Sequence, residues 1–370
     1  MGPGDSTKTS ILEAIEWVLS PRWSLPASDI DFHTGNPAEP IMIEATVGDM
    51  PGGLLSDQKF GLELRGWGEE GLHDEPEGDD EPVITIRLTI DDSLEPRWEV
   101  VNDRQAEPRP ISARDRESLG ATRLGPEVER HLTWGRGSAL LRLTDSTEEM
   151  GRTLAAAHRL AREHVKAAEM VELKRAAEEA SSAAKALGAG ASQTYGPALD
   201  PGAMGVGAAA LALHDGTVPV RAAGLGSRRL AALAVQRASF SEGGLVLVDE
   251  IETGLEPHRL RHLIRELRTA EKGQVVLTTH SEVAVVELTA SELRVVTSLG
   301  GTTTVKAVPD EVQGAIRAAP EALLGRKVII TEGATEVGLC RALERRWAEA
   351  HGGMPLAHLP VCQDDVRHRL

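Results

Sequence analysis

The chain has 370 residues, 41% of them apolar and 26% charged, which is long enough for two domains and too apolar for wholesale disorder. Its 40 Lys and Arg stand against 57 Asp and Glu, and the resulting formal charge of −17 excludes general adhesion to nucleic acid, so any DNA contact must be local. Two cysteines, Cys340 and Cys362, exclude a disulfide framework. No run approaches the roughly 20 apolar residues of a membrane span, and no basic segment followed by an apolar one opens the chain, so a cytoplasmic protein without a membrane anchor is expected.

Taken in chain order, residues 1–20 read as a Gly-containing loop and a helix, because Ile11, Leu12, Ile15, Val18 and Leu19 recur at helical spacing before Pro21. From 41 to 101 the stretches IMIEATV, VITIRLTI and RWEVV, separated by Gly, Pro and acidic turns, predict an antiparallel β region. The acidic run 69–81 reads as a solvated loop. Residues from about 146 to 187 are rich in Ala, Glu, Lys and Arg, with Leu154, Leu160, Val165, Met170 and Leu173 as apolar positions, and predict one long helix or a helical pair. The Gly-rich stretch that runs on to 207 reads as a flexible connection. Apolar runs at 244–250, 274–280 and 292–298, alternating with helical segments, are the mark of a parallel α/β sheet. The strand KVIITEG (327–333) and the helical segment 336–350 then begin a second α/β unit.

The opening Gly2-Pro3-Gly4-Asp5-Ser6-Thr7-Lys8-Thr9 has the length and ending of the phosphate-binding loop G-x-x-x-x-G-K-[ST], in which backbone N–H groups cradle phosphates, Lys reaches the β/γ oxygens and Thr binds Mg²⁺. Thr7 stands where the second Gly belongs, and alone the segment serves equally as a helix cap. Leu245-Val246-Leu247-Val248-Asp249-Glu250 is an apolar strand ending in two acids, the Walker B form, with Asp249 toward Mg²⁺ and Glu250 toward the attacking water. A buried strand ending in surface acids is the plainer alternative. Ala223-Gly224-Leu225-Gly226-Ser227-Arg228-Arg229-Leu230, a Gly/Ser turn opening a helix, suits an anion.

These elements, with the 251–257 segment IETGLEP and the strand Val275–Ser281 ending at His280, resemble in order the phosphate loop, signature, Walker B, D-loop and switch of ABC-type and SMC-type ATPases. The long stretch between Lys8 and Asp249 favours the SMC-like branch. That resemblance implies ATP and Mg²⁺ as ligands, Gly2, Gly4, Asp5, Ser6, Thr7, Lys8, Thr9, Ser10 and Ser227 around the nucleotide, Thr9 and Asp249 toward the metal, and Glu250 and His280 as catalytic groups. It also implies a homodimer closing through the ATP sites, and work on DNA.

Lys327–Glu336, with Glu332 and Glu336 in an E-x-x-x-E spacing, resembles the opening of a TOPRIM domain, where acids at i and i+4 converge on one hard cation. The plainer alternative is a strand end and an acidic first helical turn. ATPase followed by TOPRIM is the arrangement of the overcoming-lysogenization-defect (OLD) endonucleases, and the chain resembles that family over most of its length. The expected fold is α/β: an ABC/SMC-like P-loop ATPase domain over 1–310 with an antiparallel β subregion and a helical insertion at about 146–190, then a partial TOPRIM unit over 325–370. Both ends depart from the family, which has strands before the loop and an Asp-x-Asp after the first acids; Asp364-Asp365 lies in an unlike context, so truncation at both ends and an incomplete nuclease are expected.

Overall fold

The computed structural model describes residues 1–4, 6–124, 128–135, 137–144, 148–167, 171, 173–178, 211–238, 244–269, 273–325, 328–352 and 361–363. They fall into two compact units, Met1–Pro126 with Phe240–Leu370, and Glu127–Ser239. The class is mixed α/β, as the alternation of patterns predicts.

In the first unit, α1 (Lys8–Val18) follows the opening loop and turns Leu12, Trp17 and Val18 inward. Six strands then form an antiparallel sheet: β1 (Ile41–Val47), β2 (Arg65–Gly68), β3 (Gly71–His73), β4 (Glu81–Ile90), β5 (Pro96–Val101) and β6 (Arg109–Pro110), ordered β3-β2-β4-β5-β6 with β1 on β4. The alternation read at 41–47, 83–90 and 97–101 is thus three paired strands, with Ile41 opposite Ile90 and Thr85 opposite Val101. Strand β3 lies inside the acidic run expected to be a loop, a correction to that reading. The run is ordered because Asp74 and Glu75 pair with Arg104, Asp74 also with Arg65, and His73 with Asp80.

Burial of Ile84, Ile86, Leu88, Ile90, Trp98 and Val100 with Trp17, Val18, Phe32 and Phe60 builds the main core, each large side chain contributing about 1.5–3 kcal/mol. Arg116, on α2 (Ala113–Glu117), closes one side of it. Its guanidinium lies 3.9 Å from the Trp98 ring centroid and donates to the carbonyls of Ser20, Ile111 and Arg22 at 2.6, 2.7 and 2.9 Å. Burial lowers its pKa to about 10, so it remains charged at neutral pH. Strand β7 (Ala121–Leu124) follows.

The second unit holds α3 (Ala139–Arg142), α4 (Glu148–Ala167), the hairpin β8 (His214–Asp215) and β9 (Val218–Pro219), and α5 (Leu225–Ala238). Helix α4 occupies the front of the predicted helical stretch; residues 179–210, which hold its end and most of the expected flexible connection, lie outside the described residues. Buried His131 accepts from the Ala139 amide at Nδ1 and meets the Gln236 amide at 3.2 Å through Nε2, tying α5 to the 3-10 turn Val128–Leu132. Burial first, then Arg130 and Arg142, lower its pKa to about 4, so the ring is neutral.

The chain returns to the first unit as β10 (Leu245–Val248), α6 (Pro257–Arg268), β11 (Gln274–Leu277) and α7 (Glu282–Glu287). Strands β11, β10 and β7 form a parallel sheet in that order. The run 292–298 does not extend this sheet, contrary to its reading as a third parallel strand. It is β12 (Arg294–Leu299), paired antiparallel with β13 (Thr302–Ala307) across Gly300 and Gly301, whose φ of 57° and 80° suit the tight turn that Gly-Gly permits. The other edge of β12 is taken by Met1, which donates to the Arg294 carbonyl and accepts from the Val296 amide. After α8 (Gln313–Ala318), strand β14 (Ile329–Thr331), α9 (Ala334–Ala350) and β15 (Val361–Gln363) make a parallel β-α-β unit. Among the described residues no helix is long and apolar enough to cross a membrane.

Candidate functional site

Parallel pairing of β10 and β11, Val248 opposite Leu277, sets their carboxyl ends side by side. The residues just beyond are therefore adjacent. The Thr278 amide donates to the Val248 carbonyl at 2.9 Å, and its hydroxyl donates to Asp249 Oδ1 at 2.6 Å while accepting from the Glu250 amide at 2.8 Å. The first turn of α1 enters the same place, where the Thr9 hydroxyl donates to Asp249 Oδ1 at 3.3 Å. Residues 240 positions apart in sequence thus meet at one carboxylate.

Arg123 on β7 reaches the other oxygen. Its Nη2 is 2.9 Å from Asp249 Oδ2 and its Nη1 is 3.2 Å from Glu16 Oε2 on α1. Burial pushes the Asp249 carboxyl upward, but the Thr278 hydrogen bond, the Arg123 hydrogen bond and charge, and Thr9 outweigh it and hold the group below the usual carboxylate range. Asp249 is therefore an ionised acid with both oxygens engaged. Nearby Glu13 moves the other way, raised by its own burial and by the surrounding acids Asp31, Glu16 and Asp249, against the Arg123 charge.

The opening loop is tight. A Cβ at Gly2 would sit 2.3 Å from the Val296 carbonyl, so the backbone approaches β12 closely there. Thr7 has φ 61° and ψ 20°, the left-handed conformation that a glycine adopts without penalty and a β-branched residue at about 1–2 kcal/mol. The motif's missing glycine is thus a conformational demand that Thr7 meets under strain. Its hydroxyl donates to the Ser6 carbonyl at 2.6 Å, so the 2.7 Å contact with Thr303 on β13 has Thr303 as donor. Lys8 is buried, with Nζ donating to the Gly2 and Pro3 carbonyls at 3.1 and 2.7 Å and to the Ser6 hydroxyl at 3.0 Å. Gly4, Thr9 and Ser10 are exposed, and Asp5 lies outside the described residues.

Glu250, at φ 45°, turns its carboxylate to the Thr253 hydroxyl at 3.2 Å. Exposed His280 follows β11, its amide donating to Glu252 Oε1 at 2.6 Å, while the Thr279 hydroxyl donates to Glu252 Oε2 at 2.7 Å. Glu252 and Arg123 were not singled out from sequence. Glu252 sat inside the IETGLEP run with no mark of its own, and Arg123 sits in a four-residue strand that matches no motif.

In the second unit, α5 opens after Gly224, whose carbonyl accepts from the Arg228 amide at 3.1 Å, and Ser227 is exposed in its first turn. Arg228 pairs with Glu129. At the start of α9, Glu332 and Glu336 are both exposed, and Glu336 folds back so that its Oε2 lies 3.2 Å from where a Gly333 Cβ would be. Among the described residues no group of three or more His, Cys, Asp or Glu is placed to hold a metal ion. Asp364 and Asp365 lie outside the described residues.

Residues 209–287 match the family model "AAA domain, putative AbiEii toxin, Type IV TA system". That stretch is similar to AAA-type ATPases. It takes in the Ser227 turn, Asp249, Glu250 and His280, and stops before Glu332. Among solved structures, the chain is similar to the Smc head domain with an extended coiled coil bound to the C-terminal domain of ScpA, from Pyrococcus furiosus, at 14% identity and a TM-score of 0.43, covering 85% of this chain and 90% of that one. No curated protein matches it.

Proposed function

We propose that this chain binds ATP with Mg²⁺ where the opening loop meets the ends of β10 and β11, and hydrolyses it. The observation that supports this most is the meeting of Thr9, Asp249 and Thr278. A hydroxyl and an ionised carboxylate are the hard oxygen donors that Mg²⁺ prefers, and a loop of small residues opening an 11-residue helix offers backbone N–H groups to phosphate. Thr9 and Asp249 would hold the cation, which when bound supplies charge neutralisation for phosphoryl transfer. Lys8 leaves the Gly2 and Pro3 carbonyls to meet the β/γ oxygens, and Gly2, Gly4, Ser6, Thr7, Thr9 and Ser10 surround the phosphates. Glu250 releases Thr253 to orient the water that adds to the γ-phosphorus and to take its proton, with ADP as leaving group. Glu252 holds His280 at the end of β11, where its ring meets the γ-phosphate. Ser227 acts on a nucleotide held by a second copy of the chain.

The finer reading is an OLD-type, ATP-gated endonuclease, with Glu332 and Glu336 as the first metal-binding acids and DNA as substrate. The geometry of those two acids favours a second reading, a non-nucleolytic SMC-like ATPase acting as a DNA- or partner-binding module, because two exposed carboxylates give a hydrated Mg²⁺ too little concentrated charge. Incubating the purified chain with supercoiled and linear DNA in Mg²⁺ or Mn²⁺, with and without ATP, separates them. Metal-dependent cutting that is lost in Glu332→Ala supports the nuclease; ATP turnover without cutting supports the module.

A further inference from the structure

Resting on the nucleotide-site reading, we infer that Arg123 is a displaceable counter-ion of Asp249, and that the strength of this pair sets how much Mg²⁺ the site needs. Asp249 has only two oxygens. One takes the Thr278 hydroxyl at 2.6 Å and Thr9 at 3.3 Å; the other takes Arg123 at 2.9 Å. A cation held by Thr9 and Asp249 would share the carboxylate with a guanidinium already charged and in contact.

The surroundings make that competition strong. The Asp249 and Arg123 side chains are 16% and 12% exposed, so their attraction is screened far less than at a surface. Strand pairing fixes the backbone of Arg123 opposite Leu247 in the parallel ladder, two residues before Asp249. Glu16 offers a second resting place. It is 42% exposed, accepts Arg123 Nη1 at 3.2 Å, and sits on α1, the helix that carries Thr9. The guanidinium can therefore lean toward Glu16 when a cation takes over at Asp249, without leaving the site as an uncompensated buried charge. Arg123 is thus a positioning residue. It holds the Asp249 carboxylate in place before Mg²⁺ arrives, and it opposes Mg²⁺ once there.

Two substitutions pull this balance in opposite directions. Arg123→Met removes the competing charge while keeping an unbranched side chain, and should lower the Mg²⁺ concentration that half-restores nucleotide affinity by about tenfold or more. Glu16→Gln removes the charge of the Glu16 partner, shifts the balance of Arg123 toward Asp249, and should raise that concentration severalfold. Arg123→Lys should stay close to wild type. The measurement is the equilibrium affinity of a fluorescent, non-hydrolysable ATP analogue across a Mg²⁺ series, with circular dichroism to show that each variant folds. Opposite shifts support the inference, because loss of packing alone weakens binding in both variants. Equal midpoints, or shifts in one direction, overturn it while leaving the nucleotide site intact. Failure of the wild-type chain to bind the analogue at any Mg²⁺ concentration overturns both together.

Discussion

Two places in the first unit present acids at the end of an apolar strand, and they differ in what surrounds the acids. Beyond β10, Asp249 is tied to Thr278, Thr9 and Arg123, and Glu252 to Thr279 and the His280 amide, so carboxylates from one strand end are each fixed by the neighbouring strand or helix. Beyond β14, Glu332 and Glu336 face solvent, and the apolar residues nearby are uncovered: Ile330 is 71% exposed, Leu339 58% and Leu343 51%. The same sequence pattern, a strand ending in acids, is thus a preorganised cluster in one case and a solvated pair in the other. Preorganisation comes from the partners, which no strand-plus-acid motif contains.

The comparison is broken most sharply by Glu250→Gln. If the β10 end is the reacting one, this variant keeps nucleotide affinity and loses about 10²–10⁴-fold in turnover, the usual worth of a general base. Steady-state ATPase rates read it directly, and an unchanged rate removes Glu250 from the chemistry. The core that Arg116 closes is tested next. Arg116→Ala leaves three carbonyls near Trp98 without their donor and should cost about 3 kcal/mol in urea melts, with Arg116→Lys between it and wild type. A loss under about 0.5 kcal/mol would show that water replaces the guanidinium at those carbonyls.

A smaller effect is expected in the second unit. His131 has a folded pKa of about 4 against an ordinary value of 6.5, so the unfolded chain takes up its proton first as the solution is acidified. Its contribution is complete above about pH 6.5 and is lost as pH falls toward 4, amounting to about 1–2 kcal/mol at pH 5. Urea melts at pH 7 and pH 5 should differ less in His131→Gln than in wild type; an identical difference would place the acid sensitivity elsewhere. The smallest effect belongs to the solvated acids. Glu332→Ala combined with Glu336→Ala should leave ATP turnover within twofold, and a larger drop would mean that the β14 end takes part in the nucleotide reaction.

How much of this was legible beforehand depended on whether the cause lay within one segment. The alternation in IMIEATV, VITIRLTI and RWEVV is a local pattern and became β1, β4 and β5. The acid pair after LVLV is also local. Arg123 was invisible because its importance comes from β7 lying beside β10, a pairing between strands 120 residues apart that four residues, ATRL, cannot announce. The β12–β13 hairpin had a local signal, Gly300-Gly301 between runs of β-branched residues, but the apolar run before it fitted a parallel strand equally well. Thr7 looked like a defect in the loop motif; it is the motif's left-handed position occupied by a residue that pays for it in strain and is braced by Thr303.

The central claim, that the opening loop and the β10 end form one Mg²⁺-dependent nucleotide site, is tested most directly by titrating a non-hydrolysable ATP analogue against wild type, Lys8→Ala and Asp249→Asn, each with and without Mg²⁺. The account predicts tight binding by wild type that needs Mg²⁺, none measurable in Lys8→Ala, and in Asp249→Asn weak binding that Mg²⁺ no longer improves. Equal affinities in all three proteins, or a Mg²⁺ response that survives Asp249→Asn, would contradict it.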